Sequence, residues 1–153
     1  MADTKEVITI LNNLIETSKD GEEGFRSSAE NINDGLLKSF FLRRSLEVAG
    51  SAKELQEVVR SLGGEPETTA SITGSLHRRW VDIKTAITSN DNLAVLNEVE
   101  RGEDVALKAY KEAVVQDLPV YVRDIVQKQL EGVQRNHDEV KALRDHAREL
   151  EHH

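Results

Sequence analysis

The sequence has no cysteine, only two prolines in 153 residues, and 4% aromatic side chains. Without cysteine, the chain forms no disulfide bond and offers no thiolate as a nucleophile or metal ligand. The scarcity of aromatic residues argues against a β-sheet, whose strands are enriched in them. The scarcity of proline leaves long stretches in which a helix can continue without interruption. These absences favour an all-α protein with a core of aliphatic side chains.

Long apolar runs and an excess of positive charge are also missing. No stretch approaches the roughly 18 consecutive apolar residues of a membrane-spanning helix, and the segment from Met1 to Glu6 is too polar for a signal peptide. We therefore expect a cytoplasmic protein without a membrane partner. The formal net charge is −8, and the cluster His77, Arg78 and Arg79 is too small to outweigh it. Nucleic acid is therefore not an expected partner.

The chain length fits one domain with a substantial core, which we assign to residues 1–149. The final residues 150–153 read Leu-Glu-His-His and resemble the start of a cloned polyhistidine tag. We therefore leave them out of the functional argument, so the histidines that remain are His77, His137 and His146.

Apolar residues recur at intervals of three and four along four segments, which predicts four amphipathic helices. Asp3 can cap the first helix, and Asn33-Asp34-Gly35 breaks the pattern and can cap the second. Gly63 and Gly64 end the second helix. The side chains expected to face the core are, helix by helix, Val7, Leu11, Leu14, Ser18, Gly21, Phe25, Ser28 and Ile32; Leu37, Phe41, Val48, Ser51, Leu55, Val58 and Leu62; Leu93, Leu96, Val99, Glu103, Ala106, Tyr110 and Ala113; and Val122, Val126, Leu130, Val133, His137 and Val140.

Residues 65–92 form a predicted crossover, in which a polar loop, 65–69, precedes a shorter amphipathic stretch from Ile72 to Ile87. At about 3.3 Å per extended residue, even a half-extended crossover reaches roughly 40 Å, enough to return along the bundle. The second and third helices are therefore expected to run parallel, while short links make the other neighbours in sequence antiparallel. The predicted fold is an up-down-down-up four-helix bundle with a short extra helix in its crossover. Trp80 in that crossover is expected to close one open side.

Two inward positions of the predicted bundle carry a carboxylate and an imidazole, those of Glu103 and His137. Their levels differ by about 6 Å at a rise of about 1.5 Å per residue, so the two side chains can meet. Gln134 lies one helical turn before His137 and faces the same region. The simplest interpretation is a buried hydrogen-bonded group, with Tyr110 as a further member. The alternative is a weakly held metal ion bound by Glu103 and His137, with Glu22 and Gln134 as further ligands.

Four segments carry a resemblance to a known group of proteins: LIETSKDGEEGF (14–25), LGGEP (62–66), GSLHRRW (74–80) and ERGEDVALKAY (100–110). They resemble an uncharacterised bacterial four-helix-bundle family, a domain of unknown function, within the ferritin-like superfamily. The resemblance covers nearly the whole chain and implies a ferritin-like fold and a bacterial source. It implies no activity, because none is established for the family.

The ferritin-like superfamily has di-iron members, which supply a Glu from each of two helices and a Glu-x-x-His from each of the other two. By position, Glu103 resembles the third-helix glutamate and His137 the fourth-helix histidine. Gln134 stands where the fourth-helix glutamate is expected. At the matching positions of the first two helices stand residues that bind iron poorly: Ser18, Val48 and Ser51.

The leading expectation for function is a non-catalytic helical module without a cofactor, which acts by associating with itself or with another protein. It rests on the loss of four inward ligand positions in a chain that keeps the layout of the superfamily. The alternative is a metal-binding protein of the oxidoreductase type that uses iron or manganese. Iron storage is a third possibility, and it requires a closed shell of many subunits.

Overall fold

The computed structural model describes residues 3–68, 75–89 and 91–151. Helices are the only regular secondary structure within these ranges, and none of them is long and apolar enough to cross a membrane. They are α1 (Thr4–Asn31), α2 (Gly35–Ser61), α3 (Ser75–Thr88), α4 (Asn92–Val114) and α5 (Val120–Glu151). Residues 150 and 151 of the predicted tag segment continue α5, whereas His152 and His153 lie outside the described residues. Ile72 of the predicted crossover stretch also lies outside them.

Aspartate side chains mark the start of three helices. The carboxylates of Asp3, Asp34 and Asp91 each accept a hydrogen bond from a backbone N–H in the first turn of α1, α2 and α4, respectively. They satisfy donors that a helix start leaves unpaired. The predicted caps of the first two helices are therefore confirmed.

The end of α2 is set by a pair of glycines. Gly63 has a φ of +83°, in the left-handed region that glycine adopts without steric cost. Its N–H donates to the carbonyl of Arg60, and the N–H of Gly64 donates to the carbonyl of Val59, each at 3.0 Å. This pair of bonds is the Schellman pattern, which closes a helix and turns the chain away. The predicted stop at these glycines is confirmed.

Two apolar clusters define the direction of each helix. The lower cluster contains Val7, Leu11, Leu14, Ile15, Leu55, Val58, Val59, Leu107, Tyr110, Ala113, Leu118, Val122, Val126 and Val133. The upper cluster contains Phe25, Ala29, Ile32, Leu37, Phe40, Phe41, Ile83, Ala86, Val95, Leu96, Val99 and Val140. Helices α1 and α5 therefore run from the lower to the upper cluster, and α2 and α4 run the opposite way. This is the predicted up-down-down-up order.

The crossover helix α3 closes one side of the upper cluster. Ile83 is fully buried there, and the indole of Trp80 meets the ring of Phe25 nearly at right angles, with 4.7 Å between the ring centres. On α1, Gly24 provides the space for this contact, because a Cβ at that position would overlap the indole ring. The predicted closing role of Trp80 is confirmed, and it depends on a glycine in the facing helix.

Candidate functional site

A cavity of about 390 Å³ with both polar and apolar walls lies where the lower and upper clusters meet. All four long helices and Trp80 of α3 contribute to its walls. Its exposed lining residues belong only to α2 and α5, so the cavity opens between these two helices: Glu47, Gly50, Glu54, Lys128 and Arg135. The centre of the bundle is therefore polar and reachable from one side.

The cavity contains a buried ion pair between Arg44 of α2 and Glu103 of α4, whose side chains are 5% and 3% exposed. Nη2 of Arg44 donates to the two carboxylate oxygens of Glu103 at 3.2 and 3.4 Å, and Nε donates to Oε1 at 3.4 Å. Nη1 donates to Glu47 at 3.4 Å, and the guanidinium carbon lies 5.3 Å from the ring centre of Phe25. A permanently charged guanidinium thus balances a carboxylate that would otherwise be buried alone.

The ionisation of Glu103 depends on this pairing. Burial raises the pKa of Glu103 above its ordinary value, because the charged form loses its hydration. Arg44 acts against this rise through its charge and its hydrogen bonds, and the charge of His137 acts in the same direction as Arg44. Removing Arg44 would therefore push the carboxyl further towards its neutral form.

A second polar network joins α1, α2, α4 and α5. The hydroxyl of Tyr110 donates to Oε1 of Gln129 at 2.8 Å and lies 3.3 Å from Oγ of Ser18. Because Tyr110 gives its single proton to Gln129, the hydroxyl of Ser18 is the donor in the second bond. Nε2 of Gln129 donates to Glu54 at 2.7 Å and to the carbonyl of Ser51 at 3.2 Å. Both of these partners are acceptors, which fixes the orientation of the amide.

The burial of Tyr110 predicts a distinctive alkaline titration. Burial raises its pKa to about 12, against an opposing hydrogen bond from Ser18. The fold therefore favours the neutral phenol, and this contribution to stability is lost as the pH rises from the ordinary tyrosine value through about 12. Tyrosinate absorbance should show an ionisation step near pH 12 that is missing in Tyr110→Phe. The same late step in that variant would contradict the assignment, provided that circular dichroism shows both proteins folded.

The two residues at the centre of the sequence prediction have different partners in the structure. Glu103 is bonded by Arg44, whereas Nε2 of His137 lies 2.6 Å from Oδ1 of Asp104. Glu103 is buried inside the bundle, and His137 is partly buried between α4 and α5. Their predicted direct hydrogen bond is thus replaced by two separate pairs, and their predicted role as metal ligands stays a prediction.

The two predicted helper ligands also have other partners. Oε1 of Glu22 lies 3.2 Å from Nζ of Lys19, one turn away on α1. Nε2 of Gln134 donates to Asp138 at 3.0 Å on α5. Neither Glu22 nor Gln134 lines the central cavity.

The inner face of α5 differs from the predicted stripe by one residue at two places. Leu130 and His137 are only partly buried, whereas the preceding residues in each case, Gln129 and Asn136, are buried and line the cavity. One residue corresponds to a rotation of about 100° around the helix axis. Gln129 finds partners on α2 and α4, whereas Asn136 donates to the carbonyl of Gly132 on its own helix, and Leu130 packs at the margin of the lower cluster. The prediction for these two positions was wrong.

The predicted stripe of α2 also omitted Arg44. A signal for it was present, because the interval from Phe41 to Val48 is seven residues while every other interval in that stripe is three or four. One inward position must therefore lie at residue 44 or 45. Arginine is charged and is therefore not expected at an inward position.

A second group of possible metal ligands lies outside the cavity. We call Glu100, Asp104 and His137 the lateral cluster; each offers one ligand atom, and these atoms lie within 4.8 Å of one another. Arg144 pairs with Glu100, and Nδ1 of His137 is buried without a hydrogen-bond partner among the described residues. Carboxylates and imidazole are suitable ligands for first-row metals. The lateral cluster joins α4 to α5 at the side of the bundle.

The paired helical hairpins, long crossover and polar centre make this a ferritin-like four-helix bundle, as the sequence predicted. A bacterioferritin-related dodecameric thioferritin from Bacteroides fragilis aligns with a TM-score of 0.77 at 18% identity, over 97% of this chain and 90% of that one. A mutant of Dps1 from Mycobacterium smegmatis gives 0.74 at 15% identity, and a ferritin-like diiron-carboxylate protein from Bacillus anthracis gives 0.73 at 18% identity. Each of these two alignments covers 94% of this chain and 99% of the other. At these identities the likeness establishes the fold.

The sequence itself identifies the family. The profile of the domain of unknown function DUF2383 matches residues 6–116, and the chain belongs to this family. A comparison with curated proteins gave no match.

Proposed function

We propose that this protein is a non-catalytic ferritin-like module that acts by associating with copies of itself or with another protein. The observation that carries the proposal is the position of Arg44, whose guanidinium already balances the buried carboxylate of Glu103. A metal cation bound by this carboxylate would lie within a few ångströms of a permanent positive charge. Like charges repel strongly where water is excluded, which disfavours such binding.

The other inner positions support this proposal. The hydroxyl of Ser18 is bonded to Tyr110, and Ser51 uses its backbone carbonyl to accept from Gln129. Val48 contributes only an apolar wall. A di-iron centre needs carboxylates or imidazoles from all four helices, and these positions supply none.

Association is supported by the outer face of α2. Leu42 and Leu46 lie one turn apart on this helix and are 46% and 74% exposed. Large apolar side chains at neighbouring surface positions are typical of protein contacts. The Bacteroides fragilis protein is described as dodecameric, which makes self-association the first form to test.

One tag-free preparation, purified without chelators, tests the proposal by sedimentation and elemental analysis. We expect an assembly larger than one chain and no stoichiometric iron or manganese. Leu42→Glu with Leu46→Glu should shift the protein to smaller species without loss of helicity, because charged side chains disfavour an apolar contact. A strict monomer at all concentrations, with no partner retained from a native lysate, would contradict the proposal.

The second candidate function is a metal-binding protein of the oxidoreductase type that uses iron or manganese. The closeness of the three ligand atoms in the lateral cluster favours it. Near-stoichiometric metal that disappears in Glu103→Ala with His137→Ala would support this candidate and overturn the first. Loss of that metal in Asp104→Ala, but not in Glu103→Ala alone, would assign it to the lateral cluster.

A further inference from the structure

The central cavity has the size and the walls of a small-molecule site. Its volume of about 390 Å³ falls within the range of roughly 300–1,000 Å³ that is typical of ligand pockets. Gly50 lies at the opening, and no side chain or other helix approaches within 4 Å of the position that a Cβ would take there. A ligand can therefore enter between α2 and α5. The apolar walls are formed by Phe25, Val48, Trp80, Val99 and Val133.

Arg44 has hydrogen-bonding capacity for a ligand in this cavity. Arg44 makes contacts of 3.2 to 3.4 Å, longer than the roughly 2.7–2.9 Å of a tight charge-assisted hydrogen bond, and one N–H of its Nη1 remains after the bond to Glu47. Nε1 of Trp80 is buried without a hydrogen-bond partner among the described residues. Arg44 and Trp80 both pack on the ring of Phe25. A ligand oxygen at Arg44 would accept the remaining N–H, whose burial otherwise costs free energy.

The two sides of the opening carry opposite charges. On the α2 side, Glu47 accepts from Arg44, and Glu54 accepts from Gln129. On the α5 side, Lys128 and Arg135 are exposed, and neither makes an ion pair with another described residue. The α5 side of the opening is thus positive, and the negative group of a ligand is attracted to that side.

We propose that the cavity binds a small organic carboxylate with an apolar tail. Arg44 binds the carboxylate, Lys128 and Arg135 attract it towards the opening, and the tail packs on the walls beside Phe25 and Val133. A cation is disfavoured because it would have to displace Arg44 from Glu103. Ligand binding in the cavity does not depend on association of the chain, so the two proposals are tested independently.

Octanoate is the probe for this site, and 1-octanol, which has the same tail without the charge, is the matched control. Trp80 is the single tryptophan of the chain and lines the cavity, so its fluorescence reports occupancy. We expect a saturable titration with one site per chain, and an affinity for octanoate at least about tenfold higher than for octanol. Equal affinities, or a change in fluorescence that does not saturate, would overturn the proposal.

Three variants separate binding from folding. Arg44→Met with Glu103→Leu should weaken octanoate binding at least about tenfold without weakening octanol binding, because the cavity loses its guanidinium and keeps its apolar walls. Ala106→Leu fills the cavity and should weaken the binding of both probes, whereas Ala142→Leu, at an exposed position of α5, should change neither. If the double variant does not fold, Ala106→Leu carries the test. Undiminished octanoate binding in either folded cavity variant would contradict the proposal.

Discussion

Arg44→Met is expected to lower the free energy of unfolding by about 3–5 kcal/mol, because it leaves the carboxylate of Glu103 buried without its partner. In a domain of this length, each kcal/mol corresponds to a shift of about 2–4 °C in Tm, so the variant should melt roughly 6–20 °C below the wild type. Urea denaturation and thermal melting followed by circular dichroism measure both quantities. The methionine retains most of the apolar volume of the arginine stem, so the loss reports mainly on the charge.

Two comparisons distinguish this electrostatic cost from a packing defect. Arg44→Met with Glu103→Leu removes both charges and should recover most of the lost stability, since apolar replacement of a buried pair is often neutral. In the single variant, the pKa of Glu103 rises further, so the folded state retains a proton that the unfolded state releases. Its stability should therefore fall as the pH rises from the ordinary glutamate value through the raised one. A loss that is the same at all pH values and persists in the double variant would refute the electrostatic explanation.

Most of the architecture could be predicted because burial of apolar side chains decides which face of a helix points inward. Along α1 and its C-cap Ile32, all eight predicted inward positions are buried, including Ser18 and Gly21, because their apolar neighbours fix the face of the helix. The length of the crossover correctly predicted parallel α2 and α4, since only a long link returns the chain to the same end. The closing role of Trp80 followed from the same reasoning.

The centre of the bundle could be predicted only in part, because there the partners decide which residue is buried. Glu103 was placed correctly by its spacing on α4, but its cationic partner lies on α2, and a stripe selected for apolar residues omits arginine. On α5 the same preference for apolar residues placed Leu130 inward instead of Gln129, so the hydrogen-bond partner of Tyr110 was not predicted. Glu103 and Gln129 are buried because each forms hydrogen bonds with a polar residue of another helix. The residue pattern of a single helix contains no information about such partners.

Gly24→Ala is expected to destabilise the protein by about 1–3 kcal/mol, although alanine is the better helix former by about 1 kcal/mol. The added Cβ would overlap the indole of Trp80, so the ring must leave its place beside Phe25 and the side of the upper cluster must open. The fluorescence of Trp80 should shift towards that of an exposed indole in the same variant. Urea denaturation with fluorescence detection measures both effects in one experiment.

Gly50→Ala is the matched control, because Gly50 lies in the middle of α2 with open space where its Cβ would stand. It should stabilise the protein by about 0.5–1 kcal/mol, so the two alanine substitutions are expected to act in opposite directions. Trp80→Leu should reduce the cost of Gly24→Ala, because the smaller side chain can make room for the methyl group; this coupling is measured by a double-mutant cycle. If Gly24→Ala stabilises the protein as Gly50→Ala does, the indole does not pack against α1 at this position. The wall that Trp80 contributes to the central cavity would then also have to be reassigned.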